Sequence, residues 1–164
     1  MKPVLLAALA AVTIAWSQPM ARDGDDPARA YKAAIARVLD DFHDAASRGD
    51  GERYFSHFAP DAVFFGTDAT ERWTLSEFRD YALQRFEAGT SWTYHPRDRH
   101  VFRSADGRTA WFDEVVVNAK YGACRGTGVL IELDGRWRIA QYNLTIPVPN
   151  AIALDVVEMI RAID

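Results

Sequence analysis

After residue 90 the chain is dominated by four long runs of strand-forming residues, 91–103, 109–121, 124–133 and 137–146. Asp106-Gly107, Tyr121-Gly122 and Asp134-Gly135 punctuate them, and such pairs favour tight hairpin turns. Strands joined by turns this short must pair antiparallel with their chain neighbours, so the spacing predicts a meander. A sheet of that kind needs a cover for its apolar face, and the first half of the chain offers helices for the purpose.

Asp26-Pro27 is a helix start, with Asp as cap and Pro at the first helical position. Tyr31, Ile35, Val38, Leu39 and Phe42 then recur at helical spacing up to a stop near Arg48-Gly49. Residues 50–58 read as a short second helix carrying Tyr54, Phe55 and Phe58, broken by Pro60-Asp61. Residues 62–66 read as a short strand, and 67–73 as a polar loop or short strand pair. Thr74 and Glu77 form a capping box ahead of a third helix with Leu75, Phe78, Tyr81, Ala82 and Phe86 on one face. Pro147 and Pro149 end the last strand, and Asn150 caps a closing helix with Ile152, Val156, Met159, Ile160 and Ile163 on one side. Helices first and a curved antiparallel sheet later is α+β, a cone-shaped arrangement that tends to enclose a pocket.

The 164 residues are 49% hydrophobic and 26% charged, which is globular rather than disordered composition. The formal charge of −4 argues against a dedicated nucleic-acid binder, which would carry a basic stripe. Met1-Lys2, the apolar run from Val4 to Ala15, and small residues at Ala15 and Ser17 have the layout of a secretory signal peptide over 1–17. The expected organisation is therefore a signal peptide (1–17), a disordered lead-in (18–26) and one domain (27–164), in a periplasmic or secreted protein with no membrane association after cleavage. Cys124 is the single cysteine, so no intramolecular disulfide can form. His43, His57, His95 and His100 lack metal-ligand spacing, and His95 and His100 are expected on opposite strand faces. No metal, cofactor or phosphate-binding loop is indicated.

Several stretches carry a resemblance. Residues 62–68 (AVFFGTD) with Glu71-Arg72-Trp73, residues 110–114 (AWFDE), 125–130 (RGTGVL) and 137–144 (WRIAQYNL), and the Ile146-Pro147-Val148-Pro149-Asn150 exit resemble the SnoaL-like, or nuclear transport factor 2-like, superfamily. The resemblance spans about residues 28–164 and implies the cone fold. It leaves activity open, because this fold hosts isomerases, cyclases, dehydratases and non-catalytic binders.

Hairpin geometry sorts the sheet residues. A two-residue turn at Asp134-Gly135 pairs Leu133 with Arg136, which sets Gly128 opposite Gln141 and Gly126 opposite Asn143. With Tyr121 facing Cys124, one face then carries Trp111, Asp113, Trp137, Gln141 and Asn143 beside two glycines that leave room for a ligand. The other face carries Glu114, Asn118, Arg125, Thr127, Arg138 and Tyr142, and is a candidate homodimer surface. On this register Asp113 is the candidate catalytic carboxylate, with Trp111, Gln141, Asn143, Tyr142, Glu71, Trp73 and Trp92 as ligand-binding residues. Three functions follow: an exported binder of a small molecule in an apolar pocket, a lyase or isomerase using a pocket carboxylate as base, or a dimeric interaction scaffold.

Overall fold

A computed structural model describes residues 27–163; the expected signal peptide and lead-in lie outside the described residues. The elements run α1 (Pro27–Arg48), α2 (Gly51–Ser56), β1 (Phe58–Phe65), β2 (Arg72–Thr74), α3 (Leu75–Glu87), β3 (His95–Arg103), β4 (Thr109–Asn118), β5 (Gly122–Leu133), β6 (Arg136–Thr145), a 3-10 turn (Asn150–Ile152) and α4 (Ala153–Arg161). Six strands form one sheet in the order β2-β1-β6-β5-β4-β3. The β3–β6 meander is antiparallel as expected, and β1 adds to β6 in parallel. Helices α1 to α3 lie across one face, so the fold is the expected α+β cone over a curved, unclosed sheet.

The helix ends follow their local chemistry. Thr74 and Glu77 close the capping box on α3, and Asp50 accepts the Arg53 amide at the start of α2. Pro60-Asp61 is expected to break the second helix, but α2 already stops at Ser56 and Pro60 is exposed within β1, where the register against β6 is interrupted between Phe58 and Val63. A proline can occupy a strand where the ladder is already broken, because its missing N–H is then not needed.

Two turns decide which residues face the helices. At Asp134-Gly135 both residues have positive φ (50° and 72°), and Leu133 pairs with Arg136 as expected. The β4–β5 turn differs from expectation. Asn118 pairs with Gly122, and Ala119-Lys120-Tyr121 form a three-residue loop. The Asn118 carboxamide oxygen accepts the amides of Lys120 and Tyr121 at 2.9 and 3.1 Å, and Gly122 supplies φ +72°. An asparagine folding the backbone onto its own side chain sets this turn. It pairs Glu114 with Gly126 and Phe112 with Gly128.

Bulges complete the correction. Ala140 is an extra residue in β6: Leu130 pairs with Ile139, but Val129 pairs with Gln141. Ile139 and Tyr142 are consequently both buried under the helices. Asp98, at φ 45°, occupies a second bulge in β3. This puts His95 and His100 opposite Val117 and Asp113 on one face rather than on opposite faces. The inner face therefore carries Phe112, Glu114, Val116, Cys124, Leu130, Ile139 and Tyr142, all buried; Phe112, Leu130, Ile139 and Tyr142 share one core cluster with Ile35, Leu39, Phe42, Phe58, Phe64 and Phe78. Gly126 and Gly128 face inward as expected, whereas Trp111, Asp113, Gln141 and Asn143 turn to the outer face.

Candidate functional site: an aromatic pocket above a buried ion network

The inner face holds an ionic network beneath α1. Glu114 is fully buried and accepts His43 Nε2 at 2.7 Å on one oxygen and Arg99 Nε at 2.6 Å on the other. Tyr142 donates its hydroxyl to the first oxygen at 3.3 Å. Arg99 in turn donates through Nη1 to Asp40 at 2.8 Å and to the Ala36 carbonyl at 3.1 Å. Burial pushes the Glu114 carboxyl up, but the His43 hydrogen bond and the Arg99 charge outweigh it and hold the carboxyl below its usual range. Burial drives the Tyr142 phenol well above its usual range and the Glu114 charge adds to this, so the hydroxyl stays a donor.

Both bulges are needed for this arrangement. The extra residue at Asp98 re-aims Arg99 inward, and the extra residue at Ala140 does the same for Tyr142. Gly126 leaves the space: a Cβ there would lie 2.5 Å from the Tyr142 oxygen and 3.1 Å from Glu114.

The pocket lies at one end of the cone. The β1–β2 turn contributes Gly66, Thr67, Glu71 and Trp73, and α3 contributes Phe78, Tyr81 and Arg85. The segment after α3 contributes Trp92 and Tyr94, and the β4–β5 loop contributes Lys120 and Tyr121. Phe64 and Leu144 line it from β1 and β6, and the cavity measures about 290 Å³. Trp73 stacks on Tyr81 with ring centroids 5.2 Å apart, and Phe64 stacks on Phe78 at 3.8 Å. The Glu71 side chain crosses Gly66, where a Cβ would come within 2.1 Å of its Oε2, and that oxygen accepts the Asp68 amide at 3.2 Å. Burial pushes the Tyr94 phenol up to about 12, so it too is a donor at neutral pH.

Phe64 links pocket and network. It lines the cavity and stacks on Tyr142 at 5.6 Å, while the Tyr142 hydroxyl reaches Glu114 on the far side.

The structure thus brings Glu71, Trp73 and Trp92 together in one pocket and places Tyr142 behind its wall. It separates the others. Asp113 is 52% exposed on the outer face, where His100 Nδ1 meets it at 3.1 Å. Trp111 is also outside, 44% exposed and stacked on Phe102 at 5.9 Å. Trp137, expected beside them, instead packs against the edge of the core before the bulge. Sequence reasoning missed Tyr81, Arg85, Tyr94, Lys120, Tyr121 and Leu144. The available signal was Asn118: read as a turn former, it places Lys120 and Tyr121 at a loop tip and shifts the β4–β5 register onto the observed one. Among the described residues no group of three or more His, Cys, Asp or Glu is placed to hold a metal ion.

Helices laid over one face of a curved open sheet, with an aromatic pocket at one end, define the cone-shaped α+β class of binding and catalytic domains. The chain belongs to the SnoaL-like domain family, which it matches over residues 35–149. Solved structures share the fold. An uncharacterised domain with a cystatin-like fold from Nostoc punctiforme PCC 73102 is 18% identical, with a TM-score of 0.65 over 79% of this chain and 85% of that one. A protein provisionally named scytalone dehydratase, from Novosphingobium aromaticivorans DSM 12444, is 15% identical, with a TM-score of 0.63 over 74% and 87%. An NTF2-like protein of unknown function from Pseudomonas putida KT2440 is 14% identical, with a TM-score of 0.63 over 74% and 90%. No curated protein matches the sequence.

Proposed function

We propose that this protein is a small-molecule-binding domain whose ligand occupies the aromatic pocket between α3, the β1–β2 turn and the β4–β5 loop. The observation that carries the reading is the cavity of about 290 Å³ lined on most sides by aromatic rings. That size is near the lower end of the roughly 300–1,000 Å³ of ligand sites, and suits a compact ring system. A general-base reading centred on Asp113 is disfavoured, because that carboxylate lies on the opposite side of the sheet. Glu71 is the carboxylate lining the pocket, and it is tied to the β1–β2 turn.

A thermal-shift screen of compact aromatic compounds tests this, with Leu144→Phe as the variant that narrows the cavity. Ligands are expected to raise the unfolding midpoint of the natural chain and to lose that effect in the variant. Hits that stabilise both proteins equally refute the pocket. Under the same reading the chain is exported and begins near residue 18 after cleavage, which intact mass of the secreted or periplasmic protein checks.

A second reading, a homodimer joined through the outer sheet face, is favoured by the Phe102–Trp111 stack, whose members are 46% and 44% exposed. Sedimentation equilibrium decides it: Trp111→Arg turns a dimer into a monomer, and a natural chain that already sediments as a monomer overturns it.

A further inference from the structure

The charge and donor pattern of the pocket points to a class of ligand. We infer that it binds a planar aromatic acid, the ring held between pocket aromatics and the carboxylate directed to Arg85 and Lys120; this rests on the pocket being a ligand site.

The ring preference comes from the walls. Trp73, Tyr81, Phe78 and Trp92 present faces and edges on which a flat π-system stacks at little entropic cost. Tyr54 packs edge-to-face on Trp92 with ring centroids 6.0 Å apart, which supports that wall from behind.

The acid preference comes from the polar groups. Arg85 sits over the Tyr81 ring with its guanidinium carbon 5.7 Å from the centroid. Lys120 Nζ sits 4.8 Å from the Tyr121 centroid. Both rings line the cavity, so each cation is placed at its rim by an aromatic of the wall. Neither cation lies within 4 Å of a carboxylate among the described residues, although other surface arginines, including Arg48 and Arg53, are paired. Glu71 is the single acidic lining residue, so the lining carries a net positive charge in a chain whose formal charge is −4. A net positive lining therefore runs against the background of the molecule. The Tyr94 hydroxyl adds a neutral donor. A carboxylate accepts hydrogen bonds and offsets cationic charge; an alcohol accepts without offsetting charge, and an ammonium group neither accepts nor offsets it.

The test uses the full chain and three probes of one shape: 2-naphthoate, 2-naphthalenemethanol and 2-naphthylmethylammonium. Isothermal titration measures affinity, and indole N–H shifts of Trp73 and Trp92 in amide-correlation NMR locate the probe. Naphthoate is expected to bind about tenfold tighter than the alcohol, and the ammonium weakest. The preference should shrink as salt rises, because the two cations are solvent-accessible. The Arg85→Gln/Lys120→Gln double variant should weaken naphthoate several-fold more than the alcohol, and Glu71→Gln should tighten naphthoate. Equal or tighter binding of the alcohol or ammonium overturns the acid inference while leaving the pocket reading intact. So does an acid preference that survives the double variant. Failure of all three probes to shift Trp73 or Trp92 overturns both.

Discussion

Replacing Glu114 by alanine removes the acceptor on which the buried network converges. The carboxylate is fully enclosed and serves His43, Arg99 and Tyr142 at once. Deleting one partner of a buried pair costs about 3–5 kcal/mol, because the remaining charge stays buried without compensation. Arg99 keeps Asp40 and the Ala36 carbonyl, which moderates its share, but the Tyr142 hydroxyl loses its acceptor. A stranded buried donor adds about 1–3 kcal/mol within that range. Against a total stability of about 5–15 kcal/mol, the midpoint should fall by more than about 10 °C. Urea unfolding followed by circular dichroism measures the loss directly. The apolar triple variant His43→Leu/Arg99→Met/Glu114→Leu should recover much of it, since no charge is then left buried. The folded-state pKa of Glu114 is depressed, so its contribution is present above the unfolded value of about 4.5 and lost as pH falls through the lower folded value. The natural chain should therefore lose stability below about pH 4.5 more steeply than Glu114→Gln. A loss under about 1 kcal/mol for Glu114→Ala would refute the reasoning, because it is what a solvated surface pair gives.

Three further outcomes follow from local geometry. Gly128→Ala puts a Cβ 2.3 Å from the Gln141 carbonyl oxygen and 2.8 Å from the Phe112 ring; it should destabilise by about 1–3 kcal/mol in urea unfolding. Thr74→Ala removes the capping box of α3 and should cost about 1 kcal/mol, with the pocket wall carried by that helix loosened in hydrogen exchange. Asp113→Asn breaks an exposed contact with His100 and should change stability by less than about 1 kcal/mol, leaving probe binding in the pocket unaltered in titration calorimetry.

The helices and the β5–β6 hairpin were legible because their signals are local: Thr74 with Glu77, Asp134-Gly135, and the helical spacing of Ile35, Leu39 and Phe42 all gave the observed structure. Side-chain direction was not, because it accumulates along a strand and one unseen residue inverts everything beyond it. In β4 both alternate sets are largely apolar, Ala110, Phe112 and Val116 against Trp111, Val115 and Val117, so hydropathy could not choose a face. In β6 the pairing is as expected from Leu133–Arg136 to Leu130–Ile139, and fails at Ala140. The same logic makes a prediction that regular alternation would not. Deleting Ala140 removes the extra residue and leaves Ile139 and Tyr142 inward with Gln141 outward, the directions they already have. The shortened chain should unfold cooperatively with a native near-ultraviolet circular dichroism spectrum. Deleting Thr127, in the regular part of β5, inverts Gly128 and Leu130 relative to Cys124 and Gly126 and should abolish that spectrum. If the two deletions are equally damaging, the bulge is not what sets the faces. The buried Glu114–Tyr142 contact would then have to arise from sheet curvature rather than from register.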